Sequence, residues 1–484
     1  MTIQSKASQY PRSRFKYLTN ETAPPPGRDI RQKDDVVHVQ PQSQTVDIED
    51  GVETTEASLP ILPTLFVFSF LLPFVFYIGP IRLTFYRLLL ITSFAPLFFI
   101  WIAGKKGKPH ATDWMILGGT LWACLSLMVS GGIDGYEATG IMLIETFGAY
   151  LLGRVCVENY GNFLKFTRLM FWFLLLLVPL AVLESFTGRN FVLETFRSIG
   201  STYPVVRLNP RMGLERAQVV FEHPILFGGF AASFYGFVGY TLGYRKLGNR
   251  LSVNALTAVA TICSMSTGPL LSFVMQSIFM FWDRVTKTIA RRWKILGGLF
   301  ASLYVLIDLL STRNPFQVFV TYLTFSTNSS YNRILIWNYG TAEVVRHPLF
   351  GIGLGDWERP TFMSASMDNF WLATAVRYGL PTFILFAVGV LLLMRKMGRV
   401  VPLSNDVAAA RAGLLITYMG VIIGGTTTHY WNAMYCWMFF LFGAGSWVLR
   451  TPVFQTPEEP MAPVKQDNTS HTSLRPNTYV RNAN

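Results

Sequence analysis

Charge and cysteine are both scarce in this chain. Of its 484 residues 14% are charged, against 51% hydrophobic and 15% aromatic, a balance that excludes an ordinary soluble globular domain. The four cysteines, Cys124, Cys156, Cys263 and Cys436, form no CxxC pair and fall inside apolar runs. That excludes a disulfide framework and a cysteine-ligated zinc site. A cleavable leader is also lacking: the first 58 residues are polar, and the apolar run that begins near Leu59 is expected to stay as the first anchor. The formal charge of +13 sits in short loops between apolar runs, so nucleic acid is rejected as a partner.

What remains is a chain of apolar runs, each near the 20 residues needed to cross a bilayer as a helix. About twelve spans are expected, at residues 60–79, 84–103, 114–130, 138–156, 166–186, 223–243, 251–266, 269–283, 295–311, 370–394, 411–426 and 433–449. With a cytoplasmic N-terminus, the inner loops hold 18 basic residues, among them Lys105, Lys106, Lys108, Arg154, Lys165, Arg245, Lys287, Arg291, Arg292 and Lys396. This is the distribution the positive-inside rule predicts, and it puts both termini in the cytoplasm. Residues 1–58, basic and then acidic with three successive prolines, read as a disordered tail, residues 59–449 as the membrane domain, and 450–484 as a second tail.

Two outer loops are long, about 187–222 and 312–369. Together they contain nine arginines and no lysine. A planar, always-charged fork suits bidentate recognition of phosphate or carboxylate better than a flexible point charge does. Arginines that snorkel to lipid headgroups are the simpler account of about half of them.

The first of these loops ends in RLNPRMGLERAQVVFEHPILFGG, which sets Arg211 and Arg216 just above a span that Pro224 can open. In the second, Arg333 precedes Trp337 by one helical turn, an arrangement suited to a pyrophosphate and an adjacent sugar ring. HPLFGIGLG follows, with His347 before Pro348 and with Gly351, Gly353 and Gly355 allowing close backbone approach; it has no βαβ context and is no dinucleotide fingerprint. Asp368 and Asn369 then stand at the start of the tenth span, where they serve either as helix caps or as a general base and its neighbour.

RAQVVFEHPILFG, Arg333 with Trp337, HPLFGIGLG and DNFWLATAVRYG, in this order within about twelve spans, resemble the O-antigen ligase and O-antigen polymerase family of bacterial membrane glycosyltransferases. The resemblance implies an all-α, GT-C-like membrane protein with a large periplasmic loop between the ninth and tenth spans. It implies transfer of a glycan from a polyprenyl-diphosphate-linked oligosaccharide at the outer face of the inner membrane, without cofactor or metal. The partners it implies are a lipid-linked or lipid-core glycan acceptor, a chain-length regulator and a flippase. Arg216 and Arg333 match the family's arginines for the donor diphosphate, with Arg211, Trp337 and Asn369 beside them. Asp368 stands where the family often has histidine, which leaves Asp368 and His347 as candidate bases, with His429 of THYWN as another. Ser266-Thr267-Gly268-Pro269 lacks the arginine of the family's Thr-Gly-Ser-Arg. A multi-span transporter is the alternative, resting on Glu145 as an ionisable residue within a span.

Overall fold

A computed structural model describes residues 60–450, apart from 80, 133–134, 244–246, 312–314, 316–317, 319–326 and 402–403. The two expected tails and the start of the second long loop lie outside the described residues. In chain order the elements are α1 (Ile61–Ser69), β1 (Phe76–Ile78), β2 (Ile81–Leu83), α2 (Phe85–Ile102), α3 (Ala111–Gly131) and α4 (Gly135–Leu143). A π-helical turn, Ile144–Gly148, joins α4 to α5 (Ala149–Cys156). There follow α6 (Tyr160–Thr187), α7 (Phe191–Arg197), α8 (Pro224–Ala232), α9 (Tyr235–Leu242), α10 (Leu247–Cys263), α11 (Thr267–Val285) and α12 (Arg292–Leu310). The last helices are α13 (Thr327–Arg346), α14 (Phe370–Arg399), α15 (Asn405–Gly424) and α16 (Asn432–Ala444), which tightens into a 3₁₀ turn at Gly445–Arg450.

Among the described residues, nine helical stretches are long and apolar enough to cross a membrane. The chain is a helical, multi-pass membrane protein. The first expected span, 60–79, takes a different form: α1 is nine residues long, and the chain then passes Pro73 into an antiparallel hairpin that pairs Tyr77 with Arg82. Proline removes a backbone donor and clashes with the preceding turn, so the apolar run cannot continue as one helix. Two further expected spans, α10 with 17 residues and α11 with Asp283 and Arg284 in its last turn, are shorter or more polar than the nine.

Without water to squeeze out, helices in a bilayer associate by close packing, and small residues set how close they come. At the crossing of α5 and α16, a Cβ on Gly153 would lie 2.2 Å from the Phe440 carbonyl oxygen and one on Gly443 2.0 Å from that of Tyr150. Only glycine fits either place. Around this crossing Trp437 is fully buried against Phe70, Phe166, Phe230 and Phe234, and its indole N–H donates to Ser233 Oγ at 2.8 Å. By contrast α12 buries only Leu296 and presents the rest of its surface outward.

Following the helices in turn, the loops 103–110, 157–159, 286–291 and 400–404 gather at one end of the bundle. The connections after α6, α12 and α15 gather at the other. The lysine-rich loops are therefore opposite the arginine-only loops.

Candidate functional site

The arginine end is hollow. The loop before α8, the start of α11, the inner face of α13, the segment before α14 and the turn between α15 and α16 enclose a cavity of about 530 Å³. Four arginines, Arg211, Arg216, Arg333 and Arg377, and one carboxylate, Asp368, line it. Desolvating cations beside one another is unfavourable unless an anion compensates them.

Three of the arginines, Arg211, Arg216 and Arg333, are fixed by protein groups. Arg216 rides on a strap clamped between α6 and α10: Glu215 N–H donates to the Ser185 carbonyl and Ala217 N–H to that of Cys263, both at 2.9 Å. The two oxygens of buried Glu184 accept the backbone N–H groups of Gln218 and Val219 at 3.1 and 2.9 Å, and Asn190 donates to the same carboxylate at 3.0 Å. On this strap the Arg216 Nη2 donates to Ser266 Oγ at 2.9 Å, and Arg211 Nη1 donates to the Met265 carbonyl at 2.8 Å. Arg333, on α13, donates from Nε and Nη2 to the Thr427 carbonyl, both at 3.3 Å. Two donors are left over: Arg216 Nε and Arg333 Nη1 are buried without a hydrogen-bond partner. A buried guanidinium N–H that no protein group satisfies calls for an external acceptor.

Three helix N-termini border the same space. The start of α11 contributes Thr267 and Gly268 and has no side-chain cap; His223 caps α8, accepting from Ile225 N–H at 3.1 Å; Asn369 caps α14, accepting from Leu372 N–H at 3.0 Å. Their dipoles add to the positive field. Burial, with Arg211 nearby, pushes the Arg216 guanidinium down to about 10. Burial also lowers Arg333, partly offset by Asp368. The Asp368 carboxyl is raised by burial, against the pull of Arg333 and Arg216. His223, half-buried and near Arg216, is pushed down to about 4 by desolvation and by that arginine, and stays neutral.

Of the residues singled out in the sequence, Arg211, Arg216, Arg333 and Asp368 thus meet in one cavity. Trp337, His347 and Asn369 do not line it. Trp337 stands on the outer side of α13, 37% exposed, because four residues overshoot one 3.6-residue turn and the buried side at that level goes to Ile336, 5% exposed. His347 is half exposed at the end of α13, 3.5 Å from Glu343. Asn369 is spent on its cap. Arg377 was missed, although a charged residue inside an apolar span is a functional signal by default. His429 also lines the cavity. Glu145 lies elsewhere, paired at 2.5 Å with Arg87, whose Nη2 donates to Asn432 at 3.2 Å.

The strap gives the first prediction. Glu184→Ala leaves the Gln218 and Val219 N–H groups without acceptors, at about 1–3 kcal/mol each, and frees Arg216. A lower unfolding temperature in detergent and at least a tenfold loss of anion binding are expected, with Glu184→Gln, which keeps one acceptor, between this variant and wild type. Equal stability and binding in all three would show that the strap holds without its carboxylate. No protein-family model matches the chain, and no curated protein matches its sequence.

Proposed function

We propose that this protein transfers a glycan from a polyprenyl-diphosphate-linked donor at the periplasmic face of a bacterial inner membrane, in the polymerisation or ligation of cell-surface polysaccharide. The observation that carries the reading is the cavity lined by four arginines and one carboxylate, two of whose arginines, Arg216 and Arg333, each keep a buried N–H (Nε and Nη1) without a protein partner. A diphosphate supplies the acceptors and the charge that this cavity lacks. Each charge-assisted bond contributes about 1.5–3 kcal/mol, and such contacts strengthen as negative charge grows on the departing diphosphate. Asp368 serves as the counter-ion of the arginines until the donor arrives.

On this reading the bundle is a GT-C-like transferase of about twelve spans, with both termini cytoplasmic and the cavity under the periplasmic loop between the ninth and tenth spans. The lysine-rich loops opposite the cavity support that orientation. The donor oligosaccharide comes from a flippase, and a chain-length regulator acts on the product. The transporter alternative rests on Glu145 as an ionisable residue within a span; Glu145 is paired with Arg87, outside the arginine cavity.

The test is the size profile of surface and lipid-linked polysaccharide in cells lacking the protein, complemented with wild type or with Arg333→Ala. Single repeat units on the carrier would mean a polymerase, and full-length polymer stranded on the carrier a ligase. A profile unchanged by deletion would overturn both.

A further inference from the structure

A second cavity, of about 260 Å³, lies against the first. Ala373, Arg377, His429 and Trp431 line both. The character changes across this wall: on the far side the lining is aromatic, with Tyr378, Tyr430 and Tyr435, and its ionic pair, Glu145 with Arg87, is already matched. Aromatic faces with a few polar groups suit a sugar ring, which offers an apolar face and a rim of hydroxyls. The first cavity suits a diphosphate, and the second does not.

His429 stands at the joint. Its ring lies between those of Phe370, centroids 6.4 Å apart, and Trp431, 5.9 Å apart. The imidazole Nδ1 is buried without a hydrogen-bond partner. Asp368, by contrast, lines the arginine cavity and not the second one, and its charge is engaged by Arg333 and Arg216. A hydroxyl that arrives through the aromatic chamber meets His429 before Asp368.

We propose that, given a diphosphate-linked donor in the arginine cavity, the aromatic chamber holds the acceptor sugar and His429 is the catalytic base that takes the acceptor's proton. The acceptor oxygen forms a bond to the anomeric carbon of the donor sugar. The bond from that carbon to the diphosphate oxygen breaks, and its electron pair leaves on the diphosphate held by the arginines. The acceptor proton passes to a ring nitrogen of His429, and later to solvent. Arg377, in the shared wall, is placed to face the sugar and the diphosphate at once.

Burial and Arg377 hold His429 at about 4, so it is neutral and able to accept a proton. Besides Arg377, the charged groups on the lining of the two cavities are Arg211, Arg216, Arg333 and Asp368 on one side and Arg87 and Glu145 on the other; His223 lies across Trp431. A diphosphate among the arginines offsets their field and favours imidazolium. The acid limb of kcat therefore lies at higher pH than that of kcat/KM, which reports the empty enzyme.

The test uses the full chain in proteoliposomes, with lipid-linked oligosaccharide extracted from cells lacking the protein as substrate, and a sugar-free short-chain polyprenyl diphosphate as binding probe. His429→Gln is expected to lower kcat about 10²- to 10⁴-fold, the usual contribution of a general base, with probe binding within twofold of wild type. Ala138→Trp, which fills the aromatic chamber from α4, is expected to raise KM for the acceptor and leave probe binding unchanged. His429→Gln within threefold of wild type, or Asp368→Asn losing the acid limb while His429→Gln keeps it, would overturn the assignment. So would a wild-type kcat that is flat from pH 4 to pH 7, a result that needs no variant to fold. Failure of wild type to bind the probe would instead reject the diphosphate reading on which this one rests.

Discussion

Arg333→Lys is expected to lower glycan transfer roughly 10- to 150-fold while the protein still inserts and folds. Arg333, in the cavity lining, spends Nε and Nη2 on one carbonyl, that of Thr427, and this bidentate grip leaves Nη1 without any protein acceptor. An ammonium on a flexible stem keeps the charge, but it cannot hold the carbonyl and present a second donor in a fixed direction. The loss is that of one charge-assisted hydrogen bond, about 1.5–3 kcal/mol, which converts to the stated range at 1.36 kcal/mol per tenfold. Arg216→Lys belongs to the same class, because Nη2 is tied to Ser266 and Nε is left over. The two variants are compared with Arg346→Lys, whose arginine pairs with Glu343 and Glu358 away from the cavity and whose rate should match wild type. Transfer in proteoliposomes is the measurement. If Arg333→Lys and Arg216→Lys both transferred normally, neither fork would be holding the donor.

The part of this site legible in the sequence is the part carried by polar loops. Arg211, Arg216, Arg333 and Asp368 stood out because charged side chains at a bilayer edge are conspicuous among apolar runs, and all four line one cavity. Arg377 escaped notice because it lies eight residues into α14, where the surrounding apolar residues mask it. Trp337 was placed by the approximation that residues four apart share a face; on a helix that buries one narrow side the remaining rotation was enough to turn it out. His347 and His429 carried the same weight as sequence, each a histidine in a turn. What separates them is tertiary: one is tied to Glu343 at the surface, and the other is enclosed by two aromatic rings from different elements. The first expected span shows a different limit, since hydropathy registered a run long enough to cross, while Pro73 decided that only nine residues of it form a helix.

The glycines of HPLFGIGLG owe their place to a broken helix, and this makes Gly379→Ala the most damaging small substitution expected. Pro381 has no N–H, so the carbonyl of Arg377, four residues earlier, loses its helical donor. Leu380 N–H is diverted as well, donating to the Pro348 carbonyl at 2.8 Å, which strands the carbonyl of Val376. The glycine turn supplies both missing donors: Ile352 N–H reaches the Val376 carbonyl at 2.9 Å and Gly353 N–H that of Arg377 at 2.8 Å. Phe350 then stacks on Trp122, with rings 5.5 Å apart, and Trp122 Nε1 donates to the Leu349 carbonyl at 2.9 Å, which pins the turn to α3. Contact this close requires Gly379 at φ 81°, where an added Cβ would lie 2.0 Å from the Leu349 oxygen. Backbone strain of about 1–3 kcal/mol for a non-glycine residue at φ 81°, ψ 165° adds to overpacking of about 1–3 kcal/mol, and relief of either pulls the turn off the two stranded carbonyls. Because one of those belongs to Arg377, the wall between the two cavities shifts with it. Gly379→Ala should therefore lower the unfolding temperature in detergent sharply and lose transfer together with fold. Gly298→Ala, on the open surface of α12 with nothing within 4 Å of the new Cβ, should do neither. A Gly379→Ala protein as stable as Gly298→Ala would mean that the kink in α14 does not depend on the turn that fills it.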